Sequence, residues 1–174
     1  MLKYFLILQL FAISSLSLIG QNNCEFQIDT QSIFLNQNLD TFIHKLESDT
    51  FHIIPDIRMI PQRVQSQLQC LLNGFGIANP NQDFRCCCTS PDNLPQRQLT
   101  QLGISKEILV MTYRKGEGIV CNSRLLIIRF GDSGIIDLWT DYYSDKRFSI
   151  KNIANYLREN KLKYRSIKTD FLNF

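Results

Sequence analysis

The chain has 174 residues, 44% of them apolar and 20% charged, a balance that excludes intrinsic disorder and fits a globular fold. Its formal net charge of +3 is too small to mark a nucleic-acid binder, whose footprint is a strong basic excess.

Lys3 precedes an apolar run from Tyr4 to Ile13, small and apolar residues to Gly20, and then the polar Gln21-Asn22-Asn23. A positive end, an apolar middle and a small residue at the cut describe a secretory signal over residues 1–20, cleaved after Gly20 or Gln21. Kept as an anchor, the stretch would be short of the roughly 20 apolar residues that a span needs, and it contains Gln9, Ser14, Ser15 and Ser17. A lipid-bearing Cys24 would be preceded by Gln21, Asn22 and Asn23, which are too polar and bulky for that processing. Residues 21–174 then form one α+β domain, large enough to bury its own core. The expected location is secreted or periplasmic, where disulfides persist. No later stretch is long and apolar enough to cross a membrane.

In the mature region, Cys24, Phe26 and Ile28 alternate as in a short strand. Leu39, Phe42, Ile43 and Leu46 recur at helical spacing, with Asn38 placed to cap that helix. Thr50 to Ile60 is a connector with strand character, broken by Pro55. Pro61 opens a second helix, where its missing N–H is harmless. Val64, Leu68, Leu71 and Leu72 form its buried stripe and Gln62, Gln65, Gln67 and Gln69 its outside, with Asn73-Gly74 as the stop. Asn79 to Pro95 is irregular. Ile108 to Arg114, Ile119 to Phe130 and Ile135 to Tyr143 read as sequential antiparallel strands, joined by turns at Lys115–Gly118 and Gly131–Gly134. Ser149 caps a last helix that turns Ile150, Ile153, Ala154 and Leu157 inward and ends at Asn160. The apolar tail (Tyr164, Ile167, Phe171, Leu172, Phe174) is expected to dock in part on the domain. The implied fold is an antiparallel β-meander with helices packed on one face, stapled by disulfides.

The six cysteines are Cys24, Cys70, Cys86, Cys87, Cys88 and Cys121. Six half-cystines allow fifteen full pairings, and spacing does not choose among them. Cys70 lies about 200° around its helix from Leu68, away from the apolar stripe. An outward thiol in an oxidising compartment calls for a partner, most simply in the Cys86–Cys88 run. Cys121 is a candidate for a second bridge. The alternative use of Cys86 to Cys88 is a soft-metal or thiol site with Cys70 or a histidine. It lacks a Cys-x-x-Cys pair, and His44 and His52 are separated by a predicted break. No cofactor is implied.

Gly131-Asp132-Ser133-Gly134 is similar to the nucleophile segment of chymotrypsin-like serine proteases over four residues. Ile135 and Ile136 stand where that segment continues Gly-Pro, and neither histidine has the expected setting. Between two apolar runs the four residues read as a hairpin turn, and no catalytic role attaches to Ser133.

Along the third strand, Ile135, Asp137, Trp139, Asp141 and Tyr143 share one parity. Asp137 and Asp141 are about 13 Å apart along the backbone, beyond the roughly 5–9.5 Å of a glycosidase pair. A lone tryptophan rimmed by acids fits an anchor in a binding surface, with Tyr143 continuing it and Arg129 and Tyr113 joining if the register allows. The competing reading covers that face with a helix and puts Trp139 in the core. From Lys146 to Lys168, eight basic residues face Glu159 alone, either as a solvated helix face and tail or as a patch for an acidic partner or an anionic envelope surface. Together these features point to an exported binding module, including an inhibitor-like role, that acts by binding rather than catalysis. Its partner would be another exported protein or an envelope component, with no nucleic acid involved. A small secreted hydrolase using Asp137, Asp141 or the cysteines is the alternative, and a soft-metal or thiol-binding protein the next.

Overall fold

Residues 24, 26–27, 29–72, 74–86, 91–117, 119–143 and 148–161 are described by the computed structural model. The candidate leader, Cys87, Cys88, five of the eight C-terminal basic residues and the apolar tail lie outside the described residues.

The helices are α1 (Thr30–Phe34), α2 (Leu39–Ser48), α3 (Gln62–Leu71) and α4 (Ile150–Asn160), with one 3₁₀ turn at Ile57–Met59. The strands are β1 (His52–Ile53), β2 (Ile77–Ala78), β3 (Arg97–Ile104), β4 (Ile108–Glu117), β5 (Val120–Gly131) and β6 (Gly134–Tyr142). β3 to β6 form an antiparallel meander, as adjacency in sequence favours. β1 pairs antiparallel with one end of β3, and β2 pairs parallel with the other. The fold is α+β with an antiparallel sheet and two disulfides.

Local chemistry accounts for most boundaries. Ser149 caps α4 by accepting from Asn152 N at 3.1 Å. Asp29 caps α1 in the same way, accepting from Ser32 N at 2.9 Å. None of the described residues around Cys24 and Phe26 is in a strand; the chain there leads into the Asp29 cap instead. Asn38 stands at the N-cap position of α2, but its amide caps nothing. It donates to Asp137 Oδ1 at 2.8 Å and to Leu138 O at 3.1 Å, tying the helix start to β6. Gly131 and Gly134 face each other across Asp132 and Ser133, so the protease-like tetrapeptide is a hairpin turn. Gly134 needs its missing Cβ, since its φ is +98°.

Both faces of the sheet are covered. Ile108 to Met111 on β4 and Leu125 to Ile128 on β5 are all 0% exposed, which a sheet wet on one side does not permit. On one face, α4 sets Ile150 against Gly103, and Asn38 and Asn36 reach Asp137 and Trp139. On the other, α3 joins the β5–β6 hairpin through Gln67, and Phe75 packs edge-on against Tyr113. The single helical face expected from the sequence is therefore two, because α3 leaves the α2–α4 layer and lies across the sheet. Gln67, assigned by pattern to the outside of α3, is buried there. It accepts from Ile135 N at 2.6 Å and donates to Ser133 O at 3.3 Å.

The bridges are Cys24–Cys70, with Cα atoms 5.8 Å apart, and Cys86–Cys121, at 5.4 Å. Cys70 is paired, as its outward position requires, but with Cys24 and not with the Cys86–Cys88 run. The first bridge pins the N-terminal segment to α3. The second holds the irregular loop against β5, where the Arg85 and Cys86 carbonyls pack so closely on Gly116 that no Cβ would fit. Because the Cys86 sulfur is bonded to Cys121, it is removed from the soft-metal set. Among the described residues no helix is long and apolar enough to cross a membrane.

Candidate functional site

The register decides which predicted site residues meet. Arg129 pairs directly with Asp137, so these two are neighbours as expected. Tyr113 pairs with Arg124, which pairs with Tyr142, and so lies on the opposite face from Trp139. Trp139 is 1% exposed, Tyr143 2% and Tyr113 0%, and none of these rings offers a surface anchor. The residues before α2 cover Trp139. Its Nε1–H donates to Asn36 Oδ1 at 3.2 Å, while Asn36 Nδ2 donates to Lys161 O at 3.0 Å beyond α4. Tyr143 packs edge-on against Tyr156 of α4, with centroids 5.1 Å apart.

Asp137 and Asp141 have a different task. Each Oδ1 accepts the backbone N–H of the following residue, Leu138 or Tyr142, at 2.8 Å. The matching carbonyls are also occupied: Leu138 O by Asn38, and Tyr142 O by the Tyr156 hydroxyl at 2.7 Å. Among the described residues β6 is the last strand of the sheet. The two carboxylates thus satisfy two backbone N–H groups of β6. The opposite edge, on β3, is covered at its ends by β1 and β2.

A concave site forms elsewhere, on the α2–α4 side, at the edge carrying β1. Leu46, Phe51, Ile53, Phe148, Ile150 and Ala154 line a cleft of about 750 Å³, within the range of small-ligand and side-chain sites. Glu47, Asp49, Gln101, Lys151 and Asn155 rim it. Gly103 sets its depth: a Cβ there would meet Ile53 Cδ1 at 3.0 Å and Ile150 Cδ1 at 3.2 Å. Two polar contacts hold the α2 wall. Asp49 Oδ2 accepts from Ser105 Oγ at 2.9 Å, and Ser105 Oγ accepts from Ile108 N at 3.0 Å. Lys45 Nζ pairs with Glu107 at 2.6 Å, and that hydrogen bond raises the Lys45 ammonium above its ordinary value. Opposite, Arg158 of α4 pairs with Glu47, and Lys161 with Asp40 at 2.5 Å. Of the described members of the basic run, these two are therefore ion-paired to α2, while Lys151 stands on the rim. Ile53 remains 45% exposed in the lining of the cleft.

Sequence reasoning missed this cleft because its walls come from segments about a hundred residues apart. The legible part was α4, whose capped start brings Phe148 and Ile150 to one wall. Among the described residues no group of three metal-ligating side chains comes together. Comparison with protein-family models, curated proteins and solved structures finds no match for this chain.

Proposed function

We propose that the chain is an exported binding module that receives an apolar anchor of another exported protein or envelope component in the cleft between α2, β1 and α4. The observation that carries this reading is the cleft: an apolar floor under a polar rim is the anatomy of a protein–protein hot spot. Side-chain insertion is the docking mode that a cleft of this anatomy suits. Export is supported by the leader pattern of residues 1–20 and by two disulfides that persist only in an oxidising compartment. The carboxylates considered for hydrolysis hold backbone N–H groups, so no observation favours that alternative.

The test is capture of the partner from the native exported fraction by the mature protein. Asn155→Trp fills the mouth of the cleft from a solvent-exposed position of α4 and should abolish capture. Gln62→Trp, on the far face, should leave it intact. Equal capture by both variants would remove the cleft from the binding account.

A further inference from the structure

The β4–β5 hairpin, at the far end of the sheet from the cleft, presents an apolar tip. Ile119 is 87% exposed, the most of any large apolar side chain among the described residues, and Val120 beside it is 54% exposed. The tip is braced. Val120 pairs with Glu117, and the Glu117 carboxylate accepts from Asn122 Nδ2 at 2.5 Å and from Arg124. Cys121, the next residue, is bonded to Cys86, and the Arg85 and Cys86 carbonyls press on Gly116. Both tip residues are β-branched and stiff about χ1. A partner therefore meets a side-chain pair already held in place, at little ordering cost.

The cleft is the matching half. Its lining is apolar, Gly103 gives it depth, and Ile53 is left 45% exposed in it. A volume of about 750 Å³ is ample for two branched aliphatic side chains. Tip and cleft cannot meet within one molecule. β1 pairs with Gly103 and Ile104, and Ile104 pairs with Leu109 at the start of β4. β4 is 10 residues long and ends at Glu117, which puts the tip about 30 Å along the strand from the cleft.

We propose, on the reading that the cleft receives an apolar anchor, that its occupant is the Ile119–Val120 tip of a second copy of this chain. Tip and cleft are different surfaces, so the contact is heterologous: each molecule in a pair still offers a free tip or a free cleft, and assembly grows head to tail. Insertion of two side chains buries little surface, so assembly is reversible and depends on concentration.

Sedimentation velocity of the purified mature protein tests it. The wild-type sedimentation coefficient should rise with concentration past that of a dimer. Ile119→Asp removes the anchor and Asn155→Trp fills the cleft; each alone should stay monomeric. Both positions are solvent-exposed, so the fold stays intact. Mixed in equal amounts, the two variants should form a dimer and stop there, because the intact cleft of one and the intact tip of the other leave a single competent contact. A wild-type chain that stays monomeric overturns the assignment and leaves the cleft reading to the capture experiment. Association that survives either substitution, or a mixture that stays monomeric, overturns it too.

Discussion

Gln67 and Gly134 form a lock whose strength can be worked out from the structure. Gln67 Oε1 accepts the buried Ile135 N–H at 2.6 Å, and its Nε2 donates to Ser133 O. Gln67→Ala leaves that N–H without a partner, a penalty of about 1–3 kcal/mol. Gly134→Ala has two separate penalties. At φ +98° an L-residue is strained by roughly 1–2 kcal/mol. The new methyl would also occupy the space of the Gln67 amide and break the same hydrogen bonds, adding about 1–3 kcal/mol. In the double variant the second penalty is absent, because the amide is already gone. The two effects should therefore fall short of additivity by about 1–3 kcal/mol, well above the ~0.5 kcal/mol scatter of independent sites. Urea unfolding at equilibrium measures this, with the lone Trp139 as reporter. Additive losses would refute the lock and, with it, the placement of α3 across the second face of the sheet.

The Cys24–Cys70 bridge closes a separation of 46 residues, so the double serine variant should lose about 4 kcal/mol on the loop-entropy estimate; peptide mapping should recover Cys24 with Cys70 and Cys86 with Cys121. Burial alone would raise the Glu117 carboxyl, but hydrogen bonds from Arg124 and Asn122 and the charges of Arg124 and Lys115 outweigh it and hold it below its ordinary 4.5. A depressed folded value makes its stabilisation present above pH 4.5 and lost as pH falls through the folded value, so Glu117→Gln should flatten the acid limb of the stability profile, and an unchanged slope would contradict the pairing. Trp139 should emit in the blue and resist iodide quenching until the chain unfolds, and Trp139→Ala should cost about 3–5 kcal/mol. Asp137→Ala leaves the Leu138 N–H and the Asn38 amide without this acceptor and should cost about 1–3 kcal/mol in urea unfolding, and an unchanged midpoint would deny it that role.

What could be read from the residues depended on how local the signal was. α2 and α4 follow from apolar spacing with a cap or a stop nearby, and β4 to β6 from apolar runs between glycine turns. β3 was invisible because Arg97, Gln98 and Gln101 hide its alternation and the pairing slips between Leu99 and Gln101. There the Thr100 hydroxyl donates to Thr112 O at 2.7 Å. The second covered face did leave a trace: unbroken apolar runs at Ile108–Met111 and Leu125–Ile128 mark strands dry on both sides. Trp139 misled because its neighbouring acids suggested water. Those acids turn along the strand edge onto backbone N–H groups, so their charge says nothing about the face the indole occupies. Gln67 was placed outside by residue type, although position 67 adjoins the stripe of Val64, Leu68 and Leu71. The choice of Cys24 as the partner of Cys70 depends on chain path and was beyond pattern.

The central claim, a binding cleft on an exported protein, is tested most directly by site-specific photocrosslinking in the native exported fraction. A benzophenone side chain at position 155, in the cleft, should crosslink one discrete partner, while the same group at position 62 should not. Crosslinking at position 62 and none at 155 would contradict the account.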